Sequence, residues 1–141
     1  PLPDAAVKTA VLGFTDATGV MLAGARESTV CRLTDWVLEQ GGAAQSRLVS
    51  SSVRSNPQQA ALVNATAAHA LDFDDFAFSN HPSAVLVPAI LAAADFQPCD
   101  GQRMLHAYVL GYEVWSDAFL REQLIGDHKR REPVEDLAQQ A

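Results

Sequence analysis

Residues 58–71 read QQAALVNATAAHAL, and residues 84–94 read AVLVPAILAAA. Both runs are apolar on nearly every side, which is typical of helices that are buried all round. Asn-Pro at 56–57 precedes the first run, and His-Pro-Ser at 81–83 precedes the second. A proline at the first helical position is a usual helix start. The sequence therefore predicts two buried helices at the centre of an all-α fold.

The flanking segments also follow a helical period. A first amphipathic helix is predicted from Asp4 to Gly24, and a second begins at Ser28 and ends at Gly41-Gly42. A last helix follows the Asp100-Gly101 turn and is expected to end near Arg121. Between these helices no run of alternating residues is long enough to predict a strand with the same clarity. The architecture expected is a bundle-like packing of helices on helices.

Two details of this interpretation stay open from the sequence. Residues 43–56 are rich in Ser and Gln and are predicted to form an ordered loop, with a short strand at Leu48-Val49 and Val53 as the alternative. Pro88 lies inside the 84–94 run and is expected either to kink that helix or to mark its true start.

Composition excludes several classes of protein. The chain has 141 residues, of which 48% are hydrophobic and 19% charged, and this indicates one globular domain. Its net charge of −7 repels phosphate backbones, so we predict no nucleic-acid partner. No uncharged apolar run approaches ~18 residues, so we predict no membrane partner. Two cysteines make no disulfide framework and favour a cytoplasmic location.

One segment combines groups that carry chemistry. Residues 69–75 read HALDFDD, which places three carboxylates within four residues, and His81 follows shortly after. If the preceding helix continues this far, His69, Asp72 and Phe76 share one face and Asp74 points elsewhere. Acids at a helix C-terminus oppose the helix dipole, and clustered carboxylates repel one another.

Two explanations for clustered carboxylates at this unfavourable position remain open from residue types alone. Asp74 or Asp75 caps the next helix, or one of the carboxylates is a general acid or base. A metal site is a third interpretation, because carboxylates with His suit Mg²⁺, Mn²⁺ or Zn²⁺. The spacing matches no standard ligand motif, so we predict no metal.

The charge around this segment limits its ligands. Between Arg54 and Arg103 there is no Lys or Arg, although five aspartates lie there. A polycarboxylate substrate needs cations or several N–H donors. The helix start at 81–83 offers one set of donors. The cations would have to come from elsewhere in the fold or from another chain.

The run at 60–75, AALVNATAAHALDFDD, resembles the signature of the MmgE/PrpD family. That family includes 2-methylcitrate dehydratase, cis-aconitate decarboxylase and iminodisuccinate epimerase. His-Pro-Ser at 81–83, Gly-Tyr-Glu-Val at 111–114 and the first helix with Asp16, Gly19 and Ala23-Gly24 are similar to it too. The resemblance covers about Leu2 to Gln123.

The resemblance implies that residues 1–123 are the N-terminal part of the family's all-helical domain, within a homo-oligomer. It implies a lyase that acts on a small polycarboxylate by acid/base chemistry, without metal or organic cofactor. Asp72 and His81 then correspond to catalytic positions, and we expect His69, Asp75 and Ser83 to contact substrate. Phe76 departs from the decarboxylase branch, which has a Thr there.

Residues 124–141 no longer resemble the family and read as a divergent charged tail. We expect a truncated chain, for example by frameshift, because the family's further active-site His, Lys and Tyr do not occur here. Little or no activity is therefore expected from this chain alone. The alternative is a non-catalytic helical module that retains the family fold for oligomerisation or binding.

Overall fold

The computed structural model describes residues 2–49 and 51–130. Within these residues, helices make up most of the chain and the sheet has only two short strands, so the all-α prediction is confirmed. The elements are α1 (Asp4–Gly24), α2 (Ser28–Gln40), β1 (Ser46–Arg47), β2 (Arg54–Ser55), α3 (Pro57–His69), α4 (Pro82–Phe96) and α5 (Gly101–Arg130).

The helix starts follow local chemistry. The Asn56 side chain accepts a hydrogen bond of 2.9 Å from the Gln59 backbone N–H, and Pro57 occupies the first helical position. Helix α4 likewise begins at Pro82, so Pro88 does not mark its start. The helix continues through Pro88, whose ring is fully buried in the core.

Two helix ends differ from the prediction. Helix α3 ends at His69, two residues before the expected Leu71. Helix α5 runs to Arg130 instead of ending near Arg121, so residues 124–130 of the predicted tail are helical. The rest of that tail, residues 131–141, lies outside the described residues.

The core lies where α3 packs between α1 and α4. Its members are mostly small, which lets the helix axes approach closely. A Cβ placed on Gly24 of α1 would overlap the carbonyl oxygen of Ala67 in α3, whereas a Cβ on Gly19 meets nothing within 4 Å. The buried apolar residues include Ala10, Ala17, Met21, Ala60, Val63, Ala67, Ala84, Val87 and Tyr108.

The 43–56 segment forms a small hairpin instead of a plain loop. Strands β1 and β2 pair antiparallel with Ser46 opposite Ser55, just outside the Leu48-Val49 and Val53 positions considered from sequence. The Ser46 hydroxyl donates to the Ala92 carbonyl at 2.6 Å. The buried Asn64 amide accepts from the Val49 N–H at 2.8 Å and donates to the Arg47 carbonyl at 3.0 Å. The hairpin is thus anchored by groups on α3 and α4.

Helix α1 differs from the expectation that no segment of the chain is long and apolar enough to span a membrane. By length and composition alone, it is long and apolar enough to cross a membrane, contrary to the expectation from its uncharged run length. Lys8 and Asp16 interrupt its apolar sequence, and its inner face packs against α3 and α4. The absence of a membrane partner stays a prediction.

Candidate functional site

The site lies in the segment that connects α3 to α4. Because α3 ends at His69, the chain leaves the helical path, and Asp72 adopts a left-handed conformation with φ of 56°. The Asp72 N–H still donates to the His69 carbonyl at 3.2 Å, which closes the turn. The helix does not continue to Asp72, so the condition for aligning His69, Asp72 and Phe76 on one helix face is not met.

A tight turn then directs the chain into α4. Ala77 and Asn80 exchange backbone hydrogen bonds of 2.8 and 3.1 Å, and the two residues between them, Phe78 and Ser79, both have positive φ. Such turns usually contain Asn-Gly, and a side chain in this conformation costs roughly 1 kcal/mol per residue. The Phe78 ring packs 5.7 Å from the Phe119 ring, which helps to hold the turn. The turn places His81 beside the end of α3.

Four side chains meet there and form what we call the His–Asp cluster: His69, Asp72, Asp74 and His81. One nitrogen or carboxylate oxygen from each lies within 4.8 Å of the others. The Asp74 side chain is wholly buried, and both of its oxygens lie 3.1 Å from Nδ1 of His69. Asp74 is therefore the centre of the cluster.

His81 lies between the two carboxylates. Its Nδ1 is 3.1 Å from Oδ2 of Asp74, and its Nε2 is 3.7 Å from Oδ1 of Asp72. The Asp72 side chain is 77% exposed and that of His81 only 26%. The rings of His69 and Phe76 pack against the His81 imidazole, with centroids 4.5 and 5.4 Å away. One edge of the imidazole thus faces a buried carboxylate and the other faces an exposed one.

Asp75 and Ser83 belong to a neighbouring network. Asp75 caps α4 by accepting the Ser83 N–H at 3.0 Å, as one of the two sequence interpretations proposed, and it also accepts from the Tyr112 hydroxyl. The Ser83 hydroxyl lies 2.6 Å from the Tyr108 hydroxyl and is buried. Both residues have structural partners here, and their contact with substrate stays a prediction.

Burial perturbs the two phenols of this network. It raises the pKa of Tyr112 well above its ordinary value, and the hydrogen bond to Asp75 and the charge of that carboxylate add to the effect. Burial also raises the pKa of Tyr108, although the hydrogen bond with Ser83 opposes the rise. Both tyrosines therefore stay neutral over the ordinary pH range.

The site residues predicted from sequence did not include Asp74, which was considered only as a helix cap or as one of the clustered carboxylates. A continued helix, the condition considered there, would turn Asp74 away from His69. Asp74 reaches His69 because α3 ends at His69 and the chain turns at the left-handed Asp72, which brings the buried Asp74 carboxylate back to the end of the helix. The residue spacing alone does not indicate this turn.

An open groove lies away from the cluster. It has a volume of about 680 Å³, is bordered by α4 and α5, and is lined mainly by apolar side chains such as Leu86, Leu110, Val114, Trp115 and Phe119. Asn80, next to His81, is its nearest link to the cluster. The groove is suited to an apolar partner and not to a polycarboxylate.

The cluster has the parts for proton transfer but not for binding several negative charges. A half-buried imidazole held beside a buried carboxylate can accept and return a proton. In the described part of the chain, the arginines that form ion pairs contact Asp95 and Asp117, not the cluster. An anionic substrate would need cations from outside this segment.

Comparison with known proteins gives one clear result. A search of curated proteins finds no match to the chain. The family model described as the MmgE/PrpD N-terminal domain matches residues 1–124. That range includes the His–Asp cluster and all of its supporting elements up to the middle of α5, and it agrees with the resemblance found in the sequence. The chain therefore belongs to the MmgE/PrpD family, with residues 1–124 matching the model of that family's N-terminal domain.

Proposed function

We propose that this chain supplies the acid/base part of a lyase site that dehydrates a hydroxy-tricarboxylate of the 2-methylcitrate type. The observation that carries the proposal is the position of His81, between the buried Asp74 and the exposed Asp72. Membership of a family that includes 2-methylcitrate dehydratase supports the reaction class. A cytoplasmic location and a homo-oligomeric state belong to the same proposal.

The chemistry requires two proton transfers. A C–H bond next to a carboxylate breaks, its electron pair forms the carbon–carbon double bond, and the β-hydroxyl leaves as water after it receives a proton. Nε2 of His81 lies on the side of the exposed Asp72 carboxylate, 3.7 Å from its Oδ1, where it is positioned to exchange a proton with the substrate. The Asp74 carboxylate lies 3.1 Å from Nδ1 at the opposite edge of the ring, the side from which carboxylates orient catalytic imidazoles. Asp72 holds a partner or the substrate from the exposed side.

The missing cations limit this chain on its own. The negative charge that develops on the substrate carboxylate needs strong electrostatic stabilisation, and residues 55–102 contain no Lys or Arg. Removing one such stabilising donor commonly costs ~100-fold or more in rate. We propose that another chain, or another part of the assembled protein, supplies these groups.

We expect the purified chain to convert 2-methylcitrate or cis-aconitate at least about 100-fold more slowly than a full-length family member. Product formation is followed by proton NMR, which also reports the imidazole C–H signals. Adding 2-methylcitrate should shift the signals of His69 and His81 but not that of His106, an exposed histidine on α5. The H81Q variant should lose any residual turnover, and the H106Q variant should keep it.

Two results would contradict this proposal. One is turnover comparable to that of full-length relatives, which would show that the chain needs no added cations. The other is a substrate that leaves both cluster histidines unperturbed at millimolar concentration, which would remove the cluster from the substrate site.

One observation favours a second function, that of a helical oligomerisation module. The apolar face of α5 is exposed beside the groove, with Leu110 at 65% and Val114 at 62% exposure. Exposed apolar patches of this kind are typical of protein interfaces. A second copy of the chain that packs this face against its own would cover it on both copies.

If this face is the interface, we expect the chain to self-associate at high micromolar concentration. In sedimentation velocity, the L110E variant should then shift the population to monomer. The same change at Leu12, equally exposed on α1, is the matched control and should leave association unchanged. A chain that stays monomeric at high concentration, or that dissociates equally with both changes, would contradict the oligomerisation function.

A further inference from the structure

We propose that the His–Asp cluster also binds a divalent transition-metal ion of the zinc class. This goes beyond the lyase function, for which the family resemblance implies no metal. The cluster offers two imidazole nitrogens and two carboxylate oxygens, all within 4.8 Å of one another. It brings together residues 69, 72, 74 and 81, a spacing that matches no metal motif readable in the sequence.

The donor set favours zinc over the alkaline-earth ions. Zn²⁺ accepts His nitrogen and Asp oxygen at about 2.0–2.2 Å in tetrahedral geometry, which puts neighbouring ligand atoms roughly 3.4 Å apart. The separations between Nδ1 of His69 and Oδ1 of Asp74 and between Nδ1 of His81 and Oδ2 of Asp74, each 3.1 Å, are close to that value. Mg²⁺ and Ca²⁺ prefer oxygen-only ligands.

A second observation points to a missing ligand. Nδ1 of His81 is shielded from solvent and has no hydrogen-bond partner among the described residues, although it lies 3.1 Å from Oδ2 of Asp74. A buried polar atom without a partner costs about 1–3 kcal/mol. A cation held between the imidazoles and this carboxylate would provide the missing interaction.

The support around the cluster is also that of a built site. Asp74 is wholly buried, and Asp75 fixes the loop to the start of α4 through the Ser83 N–H. Asp72 and His69 are the exposed members, at 77% and 53% of their side chains. Two ligands are thus held by the fold, and the other two can close over an ion that enters from solvent.

Metal binding has one consequence for catalysis, and only this consequence depends on the proposed lyase function. A zinc ion would compete with the proton for the imidazole nitrogens, so a zinc-loaded cluster could not transfer protons through His81. The metal is therefore expected to act as an inhibitor of the proposed reaction and not as its cofactor.

The test is calorimetric titration of ZnCl₂ into the intact chain in a buffer that does not chelate metals. Cys31 and Cys99 are exposed free thiols, so the measurement uses the C31S/C99S background to remove thiolate binding. We expect one ion per chain. The H69Q and H81Q variants should each weaken binding at least about tenfold. H106Q is the matched histidine control and should bind as the background does, and MgCl₂ should give no binding.

Three outcomes would overturn the proposal: absence of zinc binding at 100-fold excess over the chain, affinity that H69Q and H81Q leave unchanged, or equal affinity for Mg²⁺. His69 is exposed, so H69Q is expected to fold, and circular dichroism of each variant checks this. Binding is read without substrate. A chain that binds zinc but never touches a tricarboxylate would refute the lyase function alone, and failure to bind zinc would leave the substrate test unaffected.

Discussion

Replacing Gly24 by alanine is expected to lower the free energy of unfolding by about 2–3 kcal/mol. The added methyl group would overlap the carbonyl oxygen of Ala67 and lie 3.1 Å from its carbon. These are backbone atoms of α3, so no side chain can rotate away, and the helices α1 and α3 must separate. Because small residues line much of this contact, the separation would also weaken neighbouring packing.

The control is the same substitution five residues earlier in the same helix. A Cβ on Gly19 meets nothing within 4 Å, so G19A should leave stability unchanged or raise it by up to about 1 kcal/mol through helix propensity. Urea unfolding followed by circular dichroism at 222 nm measures both variants. Equal stabilities for G24A and G19A would show that α1 and α3 do not approach as closely as described.

The second large effect is expected at the centre of the His–Asp cluster. Changing Asp74 to asparagine should lower the free energy of unfolding by about 2 kcal/mol. Both oxygens of the wholly buried carboxyl group lie 3.1 Å from Nδ1 of His69, and Oδ2 also lies 3.1 Å from Nδ1 of His81. The amide replaces one of these acceptor oxygens with a donor, so His69 loses one of its two acceptors inside the fold.

Asp72 provides the matched comparison. It carries the same group two residues away, but its side chain is 77% exposed, so D72N should change stability by no more than about 0.5 kcal/mol. Urea unfolding of both variants decides the point, and the NMR signals of His69 and His81 should move in D74N more than in D72N. If D72N proves the more damaging change, Asp74 is not the organising residue of the cluster.

The helices were readable from sequence because their starts depend on local groups. Asn56 and Pro57 sit next to the backbone groups they satisfy, so the start of α3 needs no distant partner. The end of α3 is different. It coincides with contacts between Asp74 and His81, seven residues apart and across a turn that contains no glycine. No helical period encodes that arrangement.

The hairpin and the site could not be predicted fully for the same reason. The backbone around β1 is held by Asn64 on α3 and Asp95 on α4, groups that are remote in the sequence. His81 and Asp72 were predicted from the family resemblance. Their grouping with Asp74 depends on where the chain leaves α3. Long-range contacts of this kind decide where the hairpin and the site residues lie in the fold, but they leave little trace in the local sequence pattern.

The tyrosine network is expected to make the fold less stable at alkaline pH. Tyr108 and Tyr112 are the only tyrosines in the chain, and both have a pKa above the ordinary value in the folded state. As the pH rises past about 10, the unfolded chain releases these protons while the folded chain keeps them. Each further unit of pH above about 10 therefore lowers the free energy of unfolding. The larger share of this loss is expected from Tyr112, which joins α5, through Asp75, to the loop that carries the cluster.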